Sequence, residues 1–201
     1  MNKARLKILP AVLTCLFIFS ACKKTDTSDG FDTFLFSDDT TAAAELVSQA
    51  NEDLNKIKVM YKKNEVQRDE LIAAMGEKDV EKVKKITDDV VYLINDGMAL
   101  GESAVEKIGR AQQMNIDADF KEYLSLKEES LRKQLSAFES RRQAVRRLRD
   151  SFGTNDPAMV EKAKLEVKQK EEVFVKTMEE SREISKKAND LAKESSKRVK
   201  E

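Results

Sequence analysis

Two groups of residues stand out for their reactivity or charge. One is a single thiol, Cys22, at the end of an apolar N-terminal run; the other is the cationic stretch Arg141, Arg142, Arg146, Arg147 and Arg149. The 201-residue chain has no His, so Ser-His-Asp and Cys-His nucleophile arrangements, His-ligated haem and His-containing zinc sites are excluded. Asp and Glu can do acid–base work. No carboxylate pair falls at the inward positions described below, so no catalytic residue, metal ligand or cofactor is expected and the chain reads as a non-enzyme.

The N-terminus has the order of an export signal. Lys3, Arg5 and Lys7 are followed by an almost wholly apolar run from Ile8 to Phe19, then by Ser20 and Ala21. That run is far shorter than the roughly 20 residues of a membrane span and fits a cleaved signal segment. With Cys22 directly after Phe19-Ser20-Ala21, the segment resembles the lipobox of bacterial lipoproteins, although Phe19 stands where that family usually has Leu. Cys15, preceded by Thr14, fits the pattern poorly. The resemblance implies cleavage before Cys22 and a diacylglyceryl group on its sulfur, with two or three acyl chains (palmitate among them) anchoring the protein stably where one would be marginal. It also implies a location in the bacterial cell envelope. Lys23 and Lys24 occupy the place where Asp often marks inner-membrane retention, so the outer membrane, facing the periplasm, is favoured. Beyond Cys22 there is no further cysteine, so no disulfide within the remaining chain is expected.

Residues 22–41 read as the lipidated cysteine and a polar tether. Within them Phe31, Phe34, Leu35 and Phe36 form an apolar cluster that either docks on the helical part or dips into the lipid interface.

Residues 42–201 read as one all-α domain, an antiparallel up-down-up-down four-helix bundle of long, coiled-coil-like helices. Six Gly and two Pro cannot supply the turns of an all-β fold. Apolar residues recur at three- and four-residue steps. The first stripe is Ala43, Val47, Ala50, Leu54, Ile57, Tyr61, Leu71 and Met75, and the second runs from Val83 through Ile86, Val90, Ile94, Gly97, Gly101, Ala104 and Ile108 to Ala111. The third is Phe120, Leu124, Leu131, Phe138, Val145 and Phe152, and the fourth Val160, Ala163, Val167, Phe174, Ile184, Ala188 and Leu191. Asp39, Thr40 or Thr41 can cap the first helix, Gly76 can end it in the left-handed conformation, Asp79 can cap the second, and Asn115 and Asp117 mark the next turn. Gly153 stops the third helix, and Asp156-Pro157 starts the fourth. An alternative is a three-helix arrangement in which the Gly97 to Gly109 region breaks or bends the second helix.

Gly97-x-x-x-Gly101 with Ala104 allows close packing against large side chains such as Phe138 or Phe174, or else a small ligand cavity. Asn64, Arg68, Lys127, Gln134, Arg141 and Lys170 fall on the seams. They either snorkel outward or pair with acidic neighbours and fix register, or they line a polar site. The arginine stretch either complements a helix C-terminus and solubilises the surface, or binds an envelope protein, a lipid head group or an anionic envelope polymer. If the first helix leaves the membrane, the arginines lie distal to it near Lys82, Lys84 and Lys85. The last helix then brings Lys186, Lys187, Lys193, Lys197, Arg198 and Lys200 back towards the head groups. The 37 basic residues less Lys3, Arg5 and Lys7 leave 34 against 37 acidic, so the exported part is not basic and nucleic acid is not expected as a partner. The function expected is a membrane-anchored interaction or scaffold module. The alternative is a periplasmic ligand-binding or holdase-type bundle.

Overall fold

The computed structural model describes residues 39–63 and 65–198. All regular structure among them is helical: α1 (Thr40–Lys63), α2 (Glu65–Glu77), α3 (Val80–Gln112), α4 (Ala118–Ser151) and α5 (Pro157–Arg198). The expected signal segment, Cys22, the aromatic cluster and Asn64 lie outside the described residues. The first expected helix is therefore described in two parts, α1 and α2. α3 runs unbroken through Gly97, Gly101 and Gly109, so the second expected helix is not broken there.

The described residues divide into two compact units. The first comprises residues 59–96 and 137–175, the second 39–58, 97–136 and 176–198. Each is a bundle of antiparallel neighbours. In the first, Arg142 donates to Asn95 (2.8 Å) and Arg149 to Asp88 (2.7 Å), while Arg141 and Arg147 reach Glu171 (3.5 Å) and Glu166 (2.5 Å). As numbers rise along α4 they fall along α3 and α5. The second shows the same order: Asp39 accepts from the Asn115 N–H (2.9 Å), Gln112 donates to Glu128 (2.6 Å), and Arg198 donates to Asp119 (2.6 Å).

The stripes bury as the periodicity requires. In the second unit, Ala43, Leu46, Val47 and Ala50 of α1 pack with Ala104, Val105, Ile108 and Ala111 of α3, and Phe120, Leu124 and Leu131 of α4 complete the cluster. In the first unit, Val83, Ile86, Val90, Val91 and Ile94 are buried, as are Leu71, Ala74 and Met75 of α2. Phe138 and Phe174 meet there with ring centroids 6.1 Å apart. Gly101 does allow close approach, but to a different partner from those expected. A Cβ on it would lie 2.7 Å from Leu135 Cδ2. The antiparallel register sets Leu135, one turn before Phe138, opposite Gly101, and its side chain fills the space where a ligand cavity was the alternative.

The connections are residues 78–79, 113–117 and 152–156. At the first, the Asp79 N–H donates to the Ala74 carbonyl (2.9 Å) and the Lys78 N–H to the Met75 carbonyl (3.3 Å). This paired closure places the left-handed residue after the last helical one. Gly76 is therefore still helical, and Lys78 takes φ 59° instead. The expected glycine terminator is displaced by two positions. Asp79 then caps α3, accepting from the Lys82 N–H (3.0 Å). Asp117 accepts from the Asp119 N–H (2.8 Å) and Asp156 from the Ala158 N–H (2.9 Å), as cap residues should. Gly153 is left-handed at φ 86°, and a Cβ there would lie 2.6 Å from Val80 Cγ2.

The two glycines should respond to alanine with opposite signs. Gly76 has open space around it, so Gly76→Ala should raise the stability read from urea unfolding by about 1 kcal/mol. Gly153→Ala should lower it by more than about 1 kcal/mol, through both the positive φ and the Val80 contact.

Candidate functional site

The arginine stretch occupies the C-terminal half of α4, where cations favour the helix dipole. Arg141 faces inward. It is 2% exposed, its guanidinium carbon lies 3.8 Å from the centroid of the Phe174 ring, and Nη2 reaches Glu171. It is therefore not part of a surface patch but a paired seam residue, buried against α5. Burial pushes the Glu171 carboxyl up from its ordinary value, against the opposing pull of Arg141.

The other arginines divide among different partners. Arg142 pairs with Glu139 and donates to Asn95. Arg147 pairs with Glu166 across to α5. Arg149 bridges Asp150 (2.8 Å) and Asp88 (2.7 Å), which hold its pKa above the ordinary value. Asp88 lies one turn beyond Lys84 and Lys85, so this arginine does sit by the lysine-rich start of α3. Arg146 is exposed and has no ion pair among the described residues. It borders a groove of about 320 Å³ between α4 and α5, lined by Gln143, Arg146, Arg147 and Asp150 on one wall and Glu166, Gln169 and Lys170 on the other. The five arginines are thus one core residue, three neutralised bridges and one open cation.

The remaining seam polars are also accounted for where they are described. Lys127 is half-buried with its ammonium 5.6 Å from the Tyr123 ring centroid. Burial, then Lys58, lowers its pKa, and burial pushes the Tyr123 hydroxyl up to about 12. Gln134 reaches Ser130 (3.5 Å). Lys170 lines the groove. Asn64 and the Arg68 side chain are outside the described residues.

Two polar clusters were not foreseen from the sequence. Asp53 on α1 is 4% exposed and accepts from Ser103 (2.9 Å), Lys56 (3.1 Å) and the closely placed Lys107. Burial acts to raise its carboxyl, but the hydrogen bonds from Lys107, Lys56 and Ser103 outweigh it and hold the pKa below 3.8. A signal was available: Asp53 follows Leu46 and Ala50 at helical steps, so it falls on the apolar face. The second cluster joins α4 to α5. Ser130 and Ser181 each donate to the other's backbone carbonyl at 3.0 Å, and the Ser185 hydroxyl lies 2.6 Å from that of Ser130.

Among the described residues no group of three or more Cys, Asp or Glu side chains is placed to hold a metal ion. The arrangement offers non-covalent contact: an open cation, a groove with amide and ammonium donors, and carboxylates already neutralised. No protein family, curated protein or solved structure matches the chain.

Two measurements follow. Because the folded pKa of Asp53 is depressed, its contribution is complete above pH 3.8 and is lost as pH falls through the folded value. The stability advantage of wild type over Asp53→Asn at pH 7 should therefore shrink during acid titration below pH 3.8. In the other unit, Glu171→Leu should destabilise by about 3–5 kcal/mol by stranding Arg141, and Arg141→Met/Glu171→Leu should recover most of that loss. Urea unfolding of the two variants beside wild type tests this, and equal losses in the single and double variants would contradict it.

Proposed function

We propose that the chain is a lipid-anchored bacterial envelope protein whose helices form a non-enzymatic interaction module. The observation that carries this reading is the N-terminal order of Lys3, Arg5 and Lys7, an apolar stretch to Phe19, and Ser20-Ala21-Cys22. Cys22 holds the acyl chains, and residues 23–39 reach at most ~60 Å even when fully extended, which keeps the start of α1 near the membrane. None of the described helices is long and apolar enough to cross a membrane, so attachment in this reading falls to the lipid. The outer membrane, facing the periplasm, is the proposed location, on the strength of Lys23 and Lys24 after the cysteine.

The contact role of the helical part draws support from the groove between α4 and α5. Its carboxylates are paired while Arg146 remains open. An envelope protein is the partner class that suits this surface better than an anionic polymer, because Met159, Leu165 and Val173 of α5 stand exposed beside the groove and offer apolar contact.

Intact mass of the N-terminal peptide from membrane fractions tests the anchor. Wild type should carry acyl chains on Cys22 and sediment with membranes, and Cys22→Ala should lose both properties. Unmodified wild-type protein recovered only in the soluble fraction would remove the anchor from the proposal.

A further inference from the structure

We infer that the α4–α5 groove of the first unit, together with the adjoining face of α5, is a docking surface for an acidic amphipathic helix of a partner protein. This rests on reading the helical part as a contact module and does not depend on the lipid anchor.

The first observation is apolar. α5 exposes Met159 (46%), Leu165 (57%) and Val173 (49%). With Lys162 and Gln169 between them, these residues follow one another at three- and four-residue steps, so they lie on one side of the helix. The stripe spans 14 residue steps, about 21 Å at 1.5 Å each. It borders the groove through Glu166, Gln169 and Lys170. Lys162 and Gln169 separate them, so they are three apolar anchor points on one side of the helix rather than a continuous patch.

The second observation is electrostatic, and it sets the sign of the partner. Both carboxylates of the groove are already neutralised, Asp150 by Arg149 and Glu166 by Arg147. Glu161 and Glu172 of α5 are likewise paired, with Lys164 and Lys168. Arg146, Lys162 and Lys170 have no ion pair among the described residues. The uncompensated charge along the stripe is therefore positive and flanks the apolar side chains. A helix laid in the groove would place its apolar face on Met159, Leu165 and Val173 and its carboxylates on Arg146 and Lys170. That is the helix-in-groove mode, anchored at steps of three and four. A flat anionic lipid surface could reach the exposed stripe but would not follow the concave wall of the groove between α4 and α5, which a helix can.

The test uses the purified full chain and two synthetic 18-residue amphipathic helices. They share a Leu face and differ only in carrying Glu or Lys on its flanks. Fluorescence anisotropy should show binding of the Glu peptide and none of the Lys peptide. Arg146→Ser/Lys170→Ser and Leu165→Ser/Val173→Ser should each weaken the Glu peptide about tenfold or more. Raised salt should relieve the first effect and not the second. All four positions are at the surface or half-buried, so an unchanged thermal midpoint confirms that the variants fold. Failure of the Glu peptide to bind, or equal binding by the variants, overturns the inference. So does binding of phosphatidylglycerol vesicles through the same residues without peptide competition, or a dimer in sedimentation that Arg146→Ser/Lys170→Ser dissolves. None of these results bears on acylation of Cys22, so the anchor and the docking surface stand or fall separately.

Discussion

Each helix has only a narrow apolar stripe on an otherwise charged cylinder, and everything else in the fold depends on bringing those stripes opposite one another. In a chain with 37% charged residues, a slip between neighbours would expose the stripe and bury charge. Stripes of similar period do not by themselves choose one register over another. The buried polar groups make that choice. Asp53 meets Ser103 and Lys107 in only one alignment of α1 with α3. The reciprocal Ser130–Ser181 bonds do the same for α4 with α5 in the second unit, and Arg141 over Phe174 and against Glu171 does so in the first. A displacement by one turn leaves a carboxylate or a guanidinium buried without its partner, at a cost of several kcal/mol. Buried polarity thus contributes little to net stability and much to uniqueness.

The helices themselves were legible in the sequence because periodicity and capping are local. The stripe from Val83 to Ala111 is buried throughout, and Asp79, Asp117 and Asp156 cap the helices that follow them. The structure departs from the expected pattern at two glycines, at one through a backbone closure two residues further on and at the other through a distant partner. Gly76 has the chemistry of a terminator, but the paired closure at Ala74 and Met75 falls two residues later, on Lys78. Gly101 announces close packing without naming what approaches. Leu135 does so because of the antiparallel register, which no local pattern encodes.

The candidate site was less legible for a geometric reason. A run that is dense in sequence is not dense in space on a helix. Successive residues turn by about 100°, so Arg141, Arg142, Arg146, Arg147 and Arg149 point around much of the cylinder. One of them enters the core, three meet carboxylates on different helices, and only Arg146 is left open. The open charge is instead assembled from two helices, with Lys170 contributed by α5. Leu165 and Val173 lie off the fourth stripe, so the period that marks the core does not single them out. It was their position off the seam that left them at the surface.

The two units solve the burial problem to different degrees. The large hydrophobic side chains left exposed among the described residues are Val59, Ile72, Tyr92, Met159, Leu165, Val173 and Val175, and all belong to the first unit. Among its described residues the second unit, built from segments of the same helices α1, α3, α4 and α5, leaves none. The difference does not come from helix-forming capacity, since α3, α4 and α5 each supply residues to both units. It comes from apolar residues placed outside the inward stripe. At roughly 25 cal/mol per Å², keeping such side chains in water forgoes stabilisation that a polar substitution would not require. A surface that retains Leu and Val beside open cations, when the described part of the second unit leaves no large apolar side chain exposed, is better explained by what it contacts than by what holds it folded. Contact should therefore be sought on the first unit, where apolar exposure and unpaired positive charge coincide on α5.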